Sequence, residues 1–579
     1  MSTRRGVLLV VAFISVAVLA SIAGLVVVAL LAGPAPSVQA NSTLYLPLRA
    51  PFSEVERADV LNQLFNRPPG LRATIDLIRR AKRDERVTSL VVMPQSPGAL
   101  WGQLQELRAA VVDFRASGKP VTAYLEHGGA GDYYVASAAD RILMMPAGQL
   151  DLVGIATYEL FLRGALDKLG VFPDLLHIGE YKTASNTFTE RTFTPAHREM
   201  TRDLNRSWYD ELIRALAEGR KRTEAEMRAL VDGGPYLAAD ALDAGLVDEL
   251  AYEDQIPDGA AVRGRRRVEA DAYARVRSAS ASGPRIAVLY AVGAIASGKS
   301  VFDTPGAQVV GSETFAGWVR RVRVDPDIRA IVVRIDSPGG SAIASEVIWR
   351  ELMLARDVKP VVVSMGDVAA SGGYYIAAPA HVIVAQPGTI TGSIGIVTGK
   401  YVLRDTMTKL GIGTGAESAG RFAEIYSPFR PFTPDERTRV EEQMQATYEL
   451  FLTRVADGRQ STRDKIDAVG QGRVWTGAQA RELGLVDELG GLDRAIEIAK
   501  ERARIDAGSD VSLVVYPPKR SLYEIVVNPF DVAASLGVGA GLESPEARLV
   551  RTFTAVLGRF RSGEPLAILP NVFWTGGAN

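Results

Sequence analysis

Residues 365–375 read M-G-D-V-A-A-S-G-G-Y-Y, a serine between small residues and a glycine pair. A serine hydroxyl is a weak nucleophile and attacks a carbonyl only when a neighbouring base takes its proton. The chain has four histidines, His127, His177, His197 and His381, and none stands in a motif with a known triad order. It has no cysteine, which excludes thiol catalysis, disulfides and Cys-ligated zinc. A lysine can serve as the base if burial brings its pKa down from about 10.4 toward neutrality. G-E-Y-K-T-A at 179–184 offers Lys182, and T-G-S-I-G at 391–395 offers Ser393 as a hydroxyl partner for that amine. Gly340 of S-P-G-G and Gly372 can present backbone N–H groups to a tetrahedral oxyanion, because glycine permits close backbone approach.

Each of these residues also has an ordinary reading. A serine before Gly-Gly is a common helix N-cap, S-P-G-G a turn, Ser393 a turn cap and Lys182 a solvated charge. Tyr374 and Tyr375 read as helix packing. Internal repetition decides between the two readings. L-V-V-M-P-Q-S-P-G at 90–98 resembles I-V-V-R-I-D-S-P-G at 331–339, and D-Y-Y at 132–134 resembles G-Y-Y at 373–375. Ser337 follows Ser96, Tyr374 follows Tyr133 and Leu410 follows Leu169 by the same 241 residues. G-L-V-D-E-L recurs at 245–250 and 484–489. The chain is a duplication.

The copies differ where chemistry is at stake. Ser371-Gly372-Gly373 faces Ala130-Gly131-Asp132, Gly339-Gly340 faces Gly98-Ala99, and Ser393 faces Leu152. Conversely, Lys182 lies 52 residues beyond Ala130, whereas Ala423 holds the matching place beyond Ser371, with only Arg421 and Lys400 as nearby cations. Each half keeps one member of a nucleophile and base pair and lacks the other.

The elements that must position these residues alternate between strand and helix. Short apolar runs at Thr43–Leu48, Ser89–Met93 and Val121–Leu125 recur at Ile286–Tyr290, Ala330–Ile335 and Val361–Met365. Amphipathic helices are expected at Leu71–Arg83 and Glu313–Arg323. The pattern predicts an α/β fold with a mainly parallel sheet in each half. The expected division is 1–40 as cytoplasmic tip, anchor and linker, 41–275 and 284–505 as homologous domains, and 506–579 as an extension. Within that extension Ala547–Phe560 reads as one helix, and Pro517 and Pro518 break any regular element.

Net charge of −1 over 579 residues argues against nucleic-acid binding, and R-G-R-R-R at 263–267 reads as a solvated loop. Gly6–Gly33 carries no charge and is long enough to cross a bilayer. Arg4 and Arg5 before it put the N-terminus in the cytoplasm and the bulk of the chain outside. V-Q-A at 38–40 would suit a signal-peptide cleavage site, but the apolar run is longer than a signal core, which favours a retained transmembrane anchor.

Together, S-P-G-G, M-G-D-V-A-A-S-G-G-Y-Y, T-G-S-I-G and G-E-Y-K resemble the signal peptide peptidase A family in its long, tandem-domain form (protease IV), within the Clp-protease/crotonase superfamily. The resemblance covers essentially the whole chain. It implies two tandem crotonase-like domains, with Ser371 as nucleophile, Lys182 as general base, Ser393 bonded to the lysine, and Gly340 and Gly372 as the oxyanion hole. It further implies cleavage of signal-peptide remnants and other apolar peptides, a homotetramer in the bacterial inner membrane with its bulk on the periplasmic side, and no metal or other cofactor. Two alternatives stay open from the sequence: a crotonase-type acyl-CoA enzyme, or a membrane scaffold of two inert domains. So does the question of whether Lys182 meets Ser371 within one chain or from another subunit.

Overall fold

The protein is described from a computed structural model that covers Ser15 and residues 38–49, 52–55, 69–95, 99–256, 266–276, 283–302, 308–518 and 563–569, with the backbone of Phe573–Trp574. The expected anchor at Gly6–Gly33 and the expected helix at Ala547–Phe560 lie outside the described residues, Ser15 apart. Among the described residues no helix is long and apolar enough to cross a membrane.

The central strands are runs of β-branched residues, such as Ile331-Val332-Val333 and Val361-Val362-Val363, buried on both faces as a covered parallel sheet requires. In the first half the strand order is Glu249–Leu250, Arg141–Met144, Val121–Leu125, Val87–Gln95, Ser42–Arg49, Arg266–Glu269, all parallel. In the second half the same order recurs as Glu488–Leu489, Val382–Ala385, Val361–Ala370, Ile328–Ser337, Arg285–Val292, Ser512–Tyr516. The helix Leu71–Arg83 buries Leu71, Ile75, Ile78 and Ala81 at helical spacing and carries Arg80, Lys82 and Arg83 in its last turn, where the C-terminal dipole favours cations. Its counterpart Ser312–Val324 buries Phe315, Val319 and Val322.

Two expectations need correcting. The strand expected to end at Met365 continues to Ala370, because the small residues there still pair, Ala369 with Thr391 and Ala370 with Gly392. The basic run is not all loop. Arg266 and Arg267 open an edge strand paired with Ser42 and Thr43, and Arg267 stacks on Tyr45 at 4.0 Å while pairing with Glu253 at 2.6 Å. Pairing of a basic strand against a buried tyrosine face outweighs its polarity. The strand Ser512–Tyr516 ends where Pro517 begins, as the proline pair requires.

A third sheet joins the halves. Its order is Val309–Gly311, Ala294–Ala296, Gly339–Ser341, Leu566–Ile568, Ile396–Val402, Phe172–Ile178. The last two strands pair antiparallel from Ile396 with Ile178 to Val402 with Phe172. Ser393 and Lys182 flank this seam, which is how residues 211 apart in sequence come together.

Candidate active site

Ser371 stands at the junction of the Val361–Ala370 strand and the short helix Gly372–Ala377. Its backbone takes φ 55° and ψ −111°, a sparsely populated conformation for a residue with a side chain. Two bonds hold it there: Ser371 N–H donates to Gly392 O at 2.8 Å, and Tyr375 N–H donates to Ser371 O at 2.8 Å. Although Ser371 occupies the N-cap position, its side chain makes no cap hydrogen bond. The hydroxyl is turned to Lys182 instead.

The glycine pair behind it is forced by crowding. A Cβ on Gly372 would lie 2.8 Å from Ser345 Oγ, and one on Gly373 would lie 2.8 Å from Ser337 O. Tyr374 and Tyr375 are buried, their hydroxyls donating to Leu485 O and Glu346, so the helix is pinned as packing.

Lys182 Nζ lies 2.8 Å from Ser371 Oγ, 3.0 Å from Ser393 Oγ and 3.0 Å from Ser393 O. Lys182, Ser371 and Ser393 have no exposed surface. Burial holds the lysine pKa well below its usual 10.5, and no carboxylate opposes that effect. A neutral amine has two N–H donors and one lone pair. Two donors match the two oxygens of Ser393, which leaves the lone pair for the Ser371 O–H. In the neutral form that burial favours, Ser371 is thus the donor and Lys182 Nζ the acceptor.

The lysine is seated by a loop of the other half. Tyr181 N–H donates to Gln471 O at 2.8 Å, Gly472 N–H to Ile394 O at 2.7 Å, and Ser393 N–H to Arg473 O at 2.7 Å. A Cβ on Gly472 would sit 2.5 Å from the Lys182 backbone, and one on Gly179 would sit 2.4 Å from the Gln471 carbonyl carbon. Arg473 locks the loop, with its guanidinium stacked on Tyr181 and Trp475 and bonded to Glu199 and Asp203.

The structure thus brings Ser371, Lys182 and Ser393 together within one chain. Gly340 belongs to the Gly339–Ser341 strand, and that strand lies against Gly372: a Cβ on Gly339 would be 2.6 Å from Gly372 N. Lys400 and Arg421 are engaged elsewhere, with Ile425 O and Asp435. Among the described residues no histidine bonds Ser371; His197 is buried against Glu159, and His381 accepts from Val361 N–H. Gln471, Gly472 and Arg473 were not foreseen, since Q-G-R reads alone as a turn. The described residues contain no cluster of His, Asp and Glu fit to hold a metal.

The family profile described as peptidase family S49 matches residues 113–263 and 354–506. This chain belongs to peptidase family S49. The first matched stretch contains Lys182 and the second contains Ser371 and Ser393. Similar proteins include the chloroplastic serine protease SPPA of Arabidopsis thaliana, 33% identical over 512 residues, covering 86% of this chain and 74% of that one. Protease 4 of Salmonella typhi is 37% identical over 449 residues, covering 74% of this chain and 72% of the relative. Protease 4 of Haemophilus influenzae is 32% identical over 447 residues, covering 73% and 71%. As a member of S49 with relatives of this kind, the chain is a serine peptidase.

Proposed function

We propose that this S49 peptidase is a membrane-anchored endopeptidase with a Ser/Lys dyad, acting on cleaved signal peptides and other apolar peptides. The observation that carries the reading is a fully buried lysine amine, free of any carboxylate, 2.8 Å from a serine hydroxyl. The Ser371 O–H proton passes to Lys182 Nζ while Oγ bonds to the substrate carbonyl carbon. Gly340 and Gly372 N–H groups take the oxyanion charge. Protonated Lys182 then gives its proton to the leaving amine as the C–N bond breaks. Water loses a proton to Lys182 and attacks the ester, and Ser371 recovers its hydrogen. Ser393 keeps the amine aimed throughout.

The uncharged Gly6–Gly33 run supports an anchor, and the arginines before it support a catalytic bulk outside the bacterial inner membrane. An anchored peptidase meets apolar peptides beside the lipid that holds them. A dyad formed inside one chain supports catalysis without a neighbour's lysine, and homotetramer assembly rests on family resemblance. The repeated strand order supports two homologous domains, 41–275 and a second that begins near 284 and runs past the expected end at 505 to take in the edge strand Ser512–Tyr516, the counterpart of Arg266–Glu269.

Ser371→Ala and Lys182→Ala should each abolish hydrolysis of a fluorogenic apolar peptide while circular dichroism stays unchanged. A fluorophosphonate should label the native chain at Ser371. A crotonase-type enzyme would take no label, so an unlabelled native chain or normal turnover by either variant defeats the proposal.

A further inference from the structure

The strand Leu566–Ile568 runs between Gly339–Ser341 and Ile396–Val402 and is antiparallel to both. Gly339 pairs with Ile568, Gly340 with Ala567, and Ser341 with Leu566. Two residues to either side, Leu569 N–H donates to Pro338 O at 2.8 Å and Ala342 N–H donates to Pro565 O at 3.1 Å. Bonded and non-bonded pairs alternate along an antiparallel ladder, so Gly340 and Ala567 form a bonded pair, with the Gly340 N–H facing the Ala567 carbonyl. That carbonyl oxygen lies only 3.1 Å from where a Cβ on Gly372 would be. It therefore sits between the two backbone segments assigned to the oxyanion. Thr398 Oγ1 also donates to Glu564 O at 2.9 Å, tying the segment to the opposite wall. Ala567 has no exposed surface and Leu569 almost none.

A peptide to be cut must place its own carbonyl at the same N–H groups. Strands in a sheet lie about 4.8 Å apart, so a slot between two strands takes one extended chain and no more. The slot is full. Resting on the serine-peptidase reading above, we infer that residues Glu564–Leu569 are an internal, displaceable occupant of the substrate groove, with Glu564–Ala567 on its acyl side. The substrate takes over their ladder on Gly339–Ser341, with a small side chain where Ala567 now lies. The ligand class is an extended peptide with alanine or a similarly small residue on the acyl side of the scissile bond. Before any peptide is cut, the segment has to withdraw.

The test uses the full chain bearing Ala567→Trp, whose indole cannot enter the closed site. When a binding-competent state is only partly populated, apparent affinity falls by that fraction. Releasing the segment should therefore lower KM for a short alanine-directed fluorogenic peptide by about tenfold or more, with kcat little changed, and should speed fluorophosphonate labelling of Ser371. A synthetic peptide of residues 563–569 should inhibit the variant competitively. A Leu566→Gly/Leu569→Gly chain, which loosens the segment without adding bulk, should shift KM in the same direction. KM within twofold of the native value in both variants would overturn the inference, as would a fall in activity showing the strand to be a permanent wall. Ser371→Ala in each background keeps the two readings apart: hydrolysis that survives it defeats the peptidase dyad, whereas hydrolysis that it abolishes, with KM in the Ser371-bearing segment variants unchanged from the native value, defeats only the occupant.

Discussion

A lysine with no exposed surface and no acidic neighbour holds a proton at a large desolvation penalty, and Lys182 is such a residue. Its value as a base follows from that isolation. The protonated amine has no lone pair for the Ser371 hydroxyl, so activity must fall as the pH drops below the depressed pKa and hold above it. We expect log kcat/KM to rise with unit slope on the acid side and to reach its plateau well below pH 10.5, the usual lysine value. Lys182→Arg should be inactive across the range, because a guanidinium keeps its proton. An acid limb centred at or above pH 10.5 would show that the amine is not the titrating base. Ser371, Lys182 and Ser393 were legible in the sequence because two copies of one domain could be set against each other. Gly472 was not, since its importance lies in touching Lys182, a contact across 290 residues that no local pattern records.

At the scale of elements, the site depends on short, irregular pieces rather than on long helices. The strands and helices with regular periodicity, Leu71–Arg83 above all, were readable because burial imposes the period directly. The end of the Val361–Ala370 strand was not, because glycine and alanine carry little β signal and only pairing keeps them extended. The loop Gln471–Arg473 is a piece of this irregular kind, and it bonds to both Tyr181 and Ser393. Gly472 adopts φ +76°, and a Cβ there would meet the Lys182 backbone at 2.5 Å. Gly484 adopts nearly the same φ, +74°, with nothing within 4 Å of its Cβ position. Alanine at either site should bring a similar backbone strain, of order 1 kcal/mol. Only Gly472→Ala also displaces the base, and a misplacement near 1 Å lowers rate by about a hundredfold. The comparison to make is kcat/KM and urea midpoint for both variants: a small loss of stability at unchanged rate for Gly484→Ala, and a larger loss of stability with a large loss of rate, measured where the variant is still folded, for Gly472→Ala. Equal rates would mean the loop does not set the lysine.

For the whole molecule, the two halves must stay docked, because the nucleophile and its partner amine come from different copies. Repetition of strand order was foreseeable from repeated motifs, but the docking was not, since its contacts use residues that the copies do not share. At its centre Arg334 of the second half is buried against two carboxylates of the first, 2.8 Å from Glu54 and 2.6 Å from Glu106. Ser364 Oγ accepts a further bond at 2.9 Å. Burial already pushes the Glu106 carboxyl above its ordinary range despite Arg334. Arg334→Met would leave both carboxylates in a dry interface with no counter-charge, and breaking a buried pair in this way destabilises by about 3–5 kcal/mol. Their folded-state pKa values would then stand above the unfolded ones, so the folded form would bind more protons than the unfolded form between the two. The native chain already loses stability as pH rises from about 4.5 toward neutrality, because burial raises Glu106 and the neighbouring Asp336 and Asp367, and the variant's stability should fall more steeply over the same range. Adding Glu54→Leu and Glu106→Leu to Arg334→Met should recover most of the loss and remove the added pH dependence, because apolar groups of similar size can replace a buried ion cluster. Peptidase activity should follow stability through the series, since separated halves cannot bring Lys182 to Ser371. If Arg334→Met unfolds at the same urea concentration as the native chain at pH 5 and pH 8, the cluster is not what holds the halves together.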